Sequence, residues 1–381
     1  MFTIRPTYHR LCTGLARGAA SGLASLSTAL AIAGTSVAVL PTSAGAAQAQ
    51  ELVITGAGDG HGVGMSQDGA LGYAEHGWSY KAILAHYYTG TAIGQAPSGT
   101  IVRVLVGSKV QDVPLERYVR GVVSAEMPAG WPLAALEAQA IASRTYALTS
   151  DAGGSRFDVY SDTRSQVYRG PAAETAQTNA AVADTAGQIV TYGGHPAVTY
   201  FFASSGGMTE SVQNGFPGAT PEPWLRGVQD SYEAASRSDW KVTLSFATVA
   251  KRLQGLVNGQ FRGIEVLTRG YSPRIVTAAV LGSAGKTDVS GPELESRLGL
   301  QSTWAYFAVL GASGQTQAEP DRSGWKDTGE TSGPAPEEKT SAPAPGEPSK
   351  APAPSQPVSV EGAAGAPAQS GTSPAGGSWA E

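Results

Sequence analysis

The chain has 381 residues, a formal net charge of −5 and few charged side chains, which make up 15% of the sequence. A slightly acidic chain gives no electrostatic reason to expect nucleic acid or an anionic membrane as a partner. Its 49 glycines and 24 prolines indicate a loop-rich fold or a low-complexity segment.

The N-terminal fifty residues have the pattern of an export signal. Three arginines and no acidic residue precede an uncharged stretch at 22–40, and an A-x-A cleavage pattern ends at Ala49. Residues 1–49 are therefore predicted to be a signal peptide, with an uncleaved anchor helix as the alternative. Both interpretations predict a protein that is secreted or associated with the cell wall.

The rest of the chain divides by composition. The only cysteine, Cys12, lies in the predicted signal, so the mature protein has no thiol and needs an ordinary hydrophobic core. Residues 50–312 are predicted to form one folded domain. Residues 313–381 are rich in Pro, Ala, Gly and Ser and are predicted to be a disordered tail. The tail is either a spacer through a polymer mesh or a solvated segment without a partner.

Hydrophobic spacing between residues 50 and 312 predicts helices and strands. The clearest helix has apolar residues at i, i+3, i+4, i+7 and i+8 counted from Leu115. In chain order, the pattern predicts a helix from about residue 78, a strand at 101–106, helices at 114–126 and 132–149, strands at 187–192, 197–203 and 241–246, a helix at 247–257, strands at 263–268 and 274–281, and a helix at 291–298. The predicted fold is a single α+β domain with a mainly antiparallel sheet and a substrate groove.

Several separated segments resemble one known family. They are GHGVGMSQDGALGYAEHGWSYKAILAHYYTGT at 60–91, PLERYVRGVVSAEMPAGWPLAALEAQAIASRTYAL at 114–148, SDTRSQVYRG at 161–170, VTYFFASSGGMTES at 198–211 and SGPELESRLGL at 290–300. Together they resemble the stage II sporulation protein D family, which includes proteins called amidase enhancers. The resemblance implies a peptidoglycan lytic transglycosylase that cleaves glycan strands between muramic acid and glucosamine, with Glu126 of the AEMP motif as general acid and base.

Two departures from the family pattern are visible. The GHGxGMSQ motif is N-terminal here, whereas in well-known members it ends the domain; such a rearrangement is tolerable when domain termini lie close together. Some members bind zinc through Cys and His around the stretch that reads VYSDTRSQVYRG in this chain, and this stretch has neither residue. We therefore expect no metal and no cofactor.

The position of Glu126 suits acid catalysis. It ends a predicted helix among apolar residues, and both the helix dipole and burial raise a carboxyl pKa. One glutamate can protonate the glycosidic oxygen and then accept a proton from the 6-hydroxyl of the sugar, so no second carboxylate is required. Asp158 and Asp162 are candidates for a second acid. The alternative for Glu126 is a solvated carboxylate at a helix end.

Further candidate substrate-binding residues lie in the same segments. Arg144 is a candidate for a muramyl carboxylate and Tyr146 for a sugar, with a helix-surface ion pair and a core aromatic as the alternatives. His61 is predicted to orient Glu126 or substrate, or else to be a turn histidine satisfied by backbone. Hydroxyl and amide groups suited to sugar recognition are the other candidates: Ser66, Gln67, Tyr200, Ser204, Ser205 and Thr209. An ordinary strand-to-loop turn is the alternative for the last four.

Three functional classes are compatible with these patterns. The first is the glycan-cleaving enzyme, the second a non-catalytic peptidoglycan-binding module that enhances a wall amidase, and the third a wall protein anchored by its tail. The expected partners are peptidoglycan glycan strands and, in the second class, a cell-wall amidase. A dinucleotide fingerprint, a phosphate-binding loop and a serine-hydrolase elbow are absent from the sequence.

Overall fold

The computed structural model describes residues 50–233 and 239–310. The predicted signal peptide and the predicted tail lie outside the described residues. Within the described part of the chain, no helix is both long and apolar enough to cross a membrane.

The described residues form eight helices, one 3-10 turn and fourteen strands. The helices are α1 (Gln67–Glu75), α2 (Tyr80–Tyr87), α3 (Leu115–Glu126), α4 (Leu133–Thr149), α5 (Ala176–Asp184), α6 (Val212–Gly215), α7 (Phe246–Arg252) and α8 (Gly291–Leu298), with the 3-10 turn at Gly170–Ala173. The strands are β1 (Glu51–Ala57), β2 (Met65–Ser66), β3 (Ala92–Gln95), β4 (Ile101–Val106), β5 (Lys109–Pro114), β6 (Val159–Tyr160), β7 (Gln188–Tyr192), β8 (His195–Pro196), β9 (Phe201–Phe202), β10 (Asp239–Ser245), β11 (Phe261–Arg269), β12 (Ile275–Gly282), β13 (Gly285–Ser290) and β14 (Ala305–Leu310).

The strands pair into five small sheets rather than the one sheet that was predicted. Their orders are β10-β1-β14, β11-β12-β13, β3-β7-β8, β5-β4-β6 and the pair β2-β9. All pairs are antiparallel except β2 with β9 and β4 with β6. The predicted α+β class with mainly antiparallel pairing is confirmed.

Two hydrophobic clusters hold these sheets and helices together. The first surrounds α3 and α4 and contains fully buried Tyr118, Val122 and Ile141. The second lies between β1, β12 and α8 and contains Leu52, Val280 and Leu298. Glu126, at the end of α3, thus lies at the border of the first, helical core.

Most predicted elements are confirmed within one or two residues. The exceptions are the helix predicted at 247–257, which ends at Arg252, and the strand predicted at 197–203, where only β9 is regular. Several elements were not predicted, among them α1, α5, β13 and β14. Two glycines in α1 weaken its helical pattern, because glycine is a poor helix former. Both allow close approach: a Cβ at Gly69 would lie 2.0 Å from the Tyr87 hydroxyl, and one at Gly72 would lie 2.1 Å from the Tyr232 carbonyl oxygen.

Candidate active site around Glu126

The Glu126 carboxyl is partly buried and receives two hydrogen bonds from protein groups. The Val167 amide donates to Oε1 at 2.6 Å, and the Gln67 side chain donates to Oε2 at 3.3 Å. Burial raises the pKa of Glu126, against the opposing effects of these two hydrogen bonds and the Arg169 charge. The predicted upward shift is confirmed, and burial is its main cause.

Helix α1 places Gln67 against Glu126. The Ser66 hydroxyl caps this helix by accepting a hydrogen bond from the Gly69 amide at 3.1 Å, so the helix begins at Gln67. The Gln67 carboxamide also donates to Gln139 of α4 at 3.3 Å. The GHGxGMSQ segment therefore reaches Glu126 through Gln67, although the two residues are 59 positions apart. A substrate contact of Gln67 stays a prediction.

A row of aromatic rings extends from the Glu126 region. Tyr146 and Tyr200 are half-buried and meet edge to face at 6.1 Å, and Tyr200 meets Phe216 at 4.9 Å. Burial, and to a lesser degree the charge of the Glu126 carboxylate, raises the pKa of the Tyr146 phenol. Half-exposed tyrosines combine an apolar face with a polar tip, as sugar rings require. Their predicted role as sugar contacts stays a prediction.

His61 lies at the far end of this row. Its ring contacts Phe216 at 4.9 Å and Phe202 at 5.4 Å, and its Nδ1 accepts a hydrogen bond from the Val63 amide at 3.1 Å. Burial and then the Arg274 charge lower the pKa of His61 to about 3, so the imidazole is neutral near pH 7. This matches a turn histidine satisfied by backbone. The orientation of Glu126 comes from Gln67 instead.

The structure corrects the prediction that Arg144 contacts substrate. Its side chain is completely buried, and its Nε and Nη2 atoms each donate to the Glu116 carboxylate at 2.8 Å. The guanidinium also donates to the carbonyl of Gln188 at 2.9 Å. Arg144 therefore ties α3, α4 and β7 together, and no donor is left for a ligand.

Three predicted substrate-binding serines instead bind an internal carboxylate, that of Glu233. Ser66 donates to it at 2.6 Å, Ser204 at 2.5 Å, and Ser205 through both its amide at 2.7 Å and its hydroxyl at 2.8 Å. The Gly206 amide adds a fifth hydrogen bond at 2.7 Å. All three serines are buried, so the prediction that they bind substrate is wrong for this structure.

Thr209 is also structural. It is 1% exposed, and its hydroxyl accepts a hydrogen bond from the Val228 amide at 2.8 Å.

The adjacent carboxylate of Glu210 resembles that of Glu233, because it too receives five hydrogen bonds. The donors are the amides of Ser211, Tyr271 and Ser272, the Ser272 hydroxyl and the Asn214 side chain. Neither Glu210 nor Glu233 was predicted from the sequence.

The two candidate second acids are both paired with arginines. Asp158 binds the Arg103 side chain, with Nε to Oδ1 at 3.1 Å, and Asp162 binds Arg164 at 2.7 and 2.8 Å. The Arg164 guanidinium lowers the pKa of Asp162, which makes this residue a poor proton donor. Within residues 50–233 and 239–310, no three His, Cys, Asp or Glu side chains are grouped so that they could hold a metal ion.

Glu126 is therefore a single carboxyl with a raised pKa, beside a carboxamide and a row of aromatic rings, on an α+β scaffold. This arrangement defines a candidate general-acid site. Residues 107–192 match the profile of the family described as Stage II sporulation protein. This range includes Glu126, Tyr146 and Val167.

Individual relatives agree with the family match. The chain is 30% identical over 212 residues to Stage II sporulation protein D of Bacillus subtilis, covering 51% of this chain and 60% of that protein. It is 34% identical over 127 residues to the Amidase enhancer of Bacillus subtilis, covering 33% of this chain and 17% of the relative. An uncharacterized protein of Brachyspira hyodysenteriae is 39% identical over 140 residues, covering 36% of this chain and 38% of that protein.

These matches confirm the resemblance seen in the sequence. Residues 107–192 carry a domain of the Stage II sporulation protein family, and the chain is similar to Stage II sporulation protein D and to the Amidase enhancer. It spans 60% or less of the length of the curated relatives named above.

Proposed function

We propose that the protein is an exported cell-wall enzyme that cleaves peptidoglycan glycan strands by lytic transglycosylation, with Glu126 as general acid and base. The observation that carries the proposal is the Glu126 carboxyl itself. It is partly buried, it has a raised pKa, and among the described residues only Val167 and Gln67 donate hydrogen bonds to it. A carboxyl in such surroundings retains its proton closer to neutral pH than an exposed one, as a general acid requires.

The reaction needs one carboxyl. The Glu126 proton passes to the glycosidic oxygen as the bond from that oxygen to C1 of the muramic acid breaks. The resulting carboxylate accepts the proton of the C6 hydroxyl, whose oxygen bonds to C1 and closes an anhydro ring. Glu126 is protonated again at the end and no water is consumed. The Val167 amide and the Gln67 carboxamide stabilise the carboxylate that forms between the two steps.

A digest of purified glycan strands tests this proposal. Wild-type protein is expected to release fragments with anhydro ends, which mass spectrometry recognises because they are lighter by one water than hydrolysed ends. Glu126→Gln keeps the shape of the side chain but cannot donate the proton, and should lower the release rate by about 10²–10⁴-fold.

Glu137→Gln is the matched control. Glu137 lies on α4, is half-buried, and has a pKa raised by burial and by Asp184. Glu137 makes no hydrogen bond to Gln67 or Val167, so its substitution removes a comparable carboxyl from outside the site. The rate of fragment release should stay unchanged. The proposal is wrong if wild-type protein releases nothing from either intact or peptide-stripped strands, or if Glu126→Gln releases fragments at the wild-type rate.

The similarity to the Amidase enhancer supports a second candidate, a non-catalytic module that binds peptidoglycan and stimulates a wall amidase. In that case, addition of the protein should accelerate peptide-amide cleavage by a purified wall amidase. Glu126→Gln should stimulate equally well, because no proton transfer by this chain is involved. Stimulation without any anhydro product would favour this candidate over the enzyme.

A further inference from the structure

A depression of about 330 Å³ lies at the start of α3. One wall is the end of β5, another is the first turn of α3, and the third is the loop that leads into the 3-10 turn. Its lining includes Asp112, Arg117, Tyr168 and Arg169. Tyr168 forms a rigid part of the third wall, since its ring stacks on buried Tyr118 at 5.1 Å.

Two arginines give this depression a positive charge. Arg117 and Arg169 are both exposed, and within the described residues neither guanidinium has a hydrogen bond or an ion pair. Asp112 is the only acidic residue in the lining. It is the cross-strand partner of Arg103 and acts electrostatically on that guanidinium. The depression therefore has two available guanidinium groups and one carboxylate that already faces another cation.

The depression is coupled to Glu126 through the backbone. Val167, which donates to the Glu126 carboxyl, is followed directly by Tyr168 and Arg169. The Arg169 amide donates to the Gly121 carbonyl of α3 at 3.2 Å, which fixes this loop to the helix that ends in Glu126. The Arg169 charge acts directly on the Glu126 carboxyl. Arg117 and Glu126 lie at opposite ends of α3, about 13 Å apart along the helix axis. A group bound between the two arginines and a sugar at Glu126 would therefore have to belong to one extended ligand.

We propose that Arg117 and Arg169 form a carboxylate-binding subsite for the glycan strand. Guanidinium groups match carboxylates in geometry and charge. This role rests on the proposed function and replaces the one predicted for Arg144, whose guanidinium is saturated by Glu116. A wall strand has two sources of carboxylate: the lactyl group of muramic acid, which is free where the peptide has been removed, and the stem peptide where it is present.

Binding measurements with soluble strand fragments test the subsite. All proteins carry Glu126→Gln, so that strands stay intact. The fragments are peptide-stripped strands, stripped strands whose lactyl carboxylates are converted to neutral amides, and peptide-bearing strands. The double variant Arg117→Gln/Arg169→Gln is compared with Arg262→Gln, which removes an exposed arginine of β11. Thermal unfolding of each variant verifies that it is folded.

The subsite predicts an affinity loss that depends on the carboxylate. The double variant should bind stripped strands about tenfold more weakly than the Arg262→Gln control, the usual effect of losing a charge-assisted hydrogen bond. Amidation of the lactyl groups should weaken strand binding by the Arg262→Gln control by a similar factor. It should leave the affinity of the double variant unchanged. A loss confined to peptide-bearing strands also supports the subsite, with the stem peptide as the source of the carboxylate.

Other outcomes overturn the subsite. The subsite is wrong if the double variant binds every fragment as tightly as the control, or if it loses the same factor in affinity on amidated strands as on charged ones. In either case the two arginines do not recognise a carboxylate, whatever the cleavage digest shows. Conversely, arginine-dependent binding without anhydro products in that digest would retain the subsite and reject the enzyme. Absence of binding to all three fragments would reject both.

Discussion

Glu126 and Glu233 are two carboxylates that the fold largely removes from solvent, and they differ in the hydrogen bonds they receive. Glu233 receives five, from Ser66, Ser204, Ser205 and Gly206, so every lone pair of the carboxylate has a partner. Glu126 receives two from the described residues. A carboxylate with five donors is fixed in the fold and has no acceptor site left for a ligand, whereas burial with few donors favours the protonated form, which can transfer a proton.

The surroundings of the two sites agree with this difference. Asp230 lies beside Glu233, and burial together with the negative charge of Glu233 raises the pKa of Asp230 well above its ordinary value. The Tyr87 hydroxyl binds it at 2.8 Å. This network joins α1, α2 and the 204–206 loop to the 230–233 turn. Glu126, in contrast, is subject to the positive charge of Arg169, which lines the depression, and interacts electrostatically with half-exposed Tyr146.

The largest stability effect is expected at Glu233. Glu233→Gln replaces an acceptor-only group by one that carries an NH₂, which faces the donors of Ser66, Ser204 and Ser205. We expect a loss of about 3 kcal/mol in the free energy of unfolding, measured by chemical denaturation. Glu265→Gln, at an exposed position on β11, is the control and should be neutral. A loss below about 1 kcal/mol for Glu233→Gln would contradict the structural role of Glu233 and so remove its contrast with Glu126.

Gly69→Ala tests the same network from the backbone side. The added methyl would lie 2.0 Å from the Tyr87 hydroxyl and 2.2 Å from the Asp230 carboxylate. The hydrogen bond between these two groups must therefore break or shift. The expected loss in unfolding free energy is about 2 kcal/mol. Gly130→Ala is the matched control, because a Cβ there has no neighbour within 4 Å. Equal stability of the two variants would show that the network tolerates displacement.

Glu295 sharpens the comparison, because a raised pKa alone does not define a functional site. Burial raises its pKa from 4.5 to about 7, against the lowering effect of Arg274. A raised folded-state pKa contributes stability that is complete below about pH 4.5 and is lost as the pH rises through about 7. Glu295→Gln should therefore flatten the decline in unfolding free energy over this interval. An unchanged decline would show that other groups cause it.

The smallest expected effect links the depression to Glu126. The Arg169 charge lowers the pKa of Glu126, so Arg169→Gln should raise it. A carbon-13 titration of labelled glutamate carboxyls, assigned with Glu126→Gln, would show the Glu126 midpoint at higher pH in Arg169→Gln. Arg262→Gln should leave it in place. A downward shift in Arg169→Gln would mean that the loop, rather than the charge, had changed.

Much of the secondary structure and the position of Glu126 were predictable, because they depend on local patterns. The spacing after Leu115 predicted α3, and the AEMP motif marked its end. The serines were assigned wrongly for a physical reason: a small hydroxyl residue looks the same whether it binds a sugar or an internal carboxylate. Their acceptor, Glu233, is 167 residues from Ser66 and lies in a stretch without periodicity. Arg144 was misassigned likewise, because its partner Glu116 lies on another helix.

One measurement tests the central claim most directly: fragment release and stability of Glu126→Gln, determined on the same preparation. Burial raises the pKa of Glu126, so ionisation of this residue destabilises the fold as the pH rises through that pKa. The variant should therefore be at least as stable as wild-type protein at neutral pH, while it releases anhydro-ended fragments from glycan strands about 10²–10⁴-fold more slowly. A variant that unfolds like Glu233→Gln, or one that releases fragments at the wild-type rate, would contradict the account.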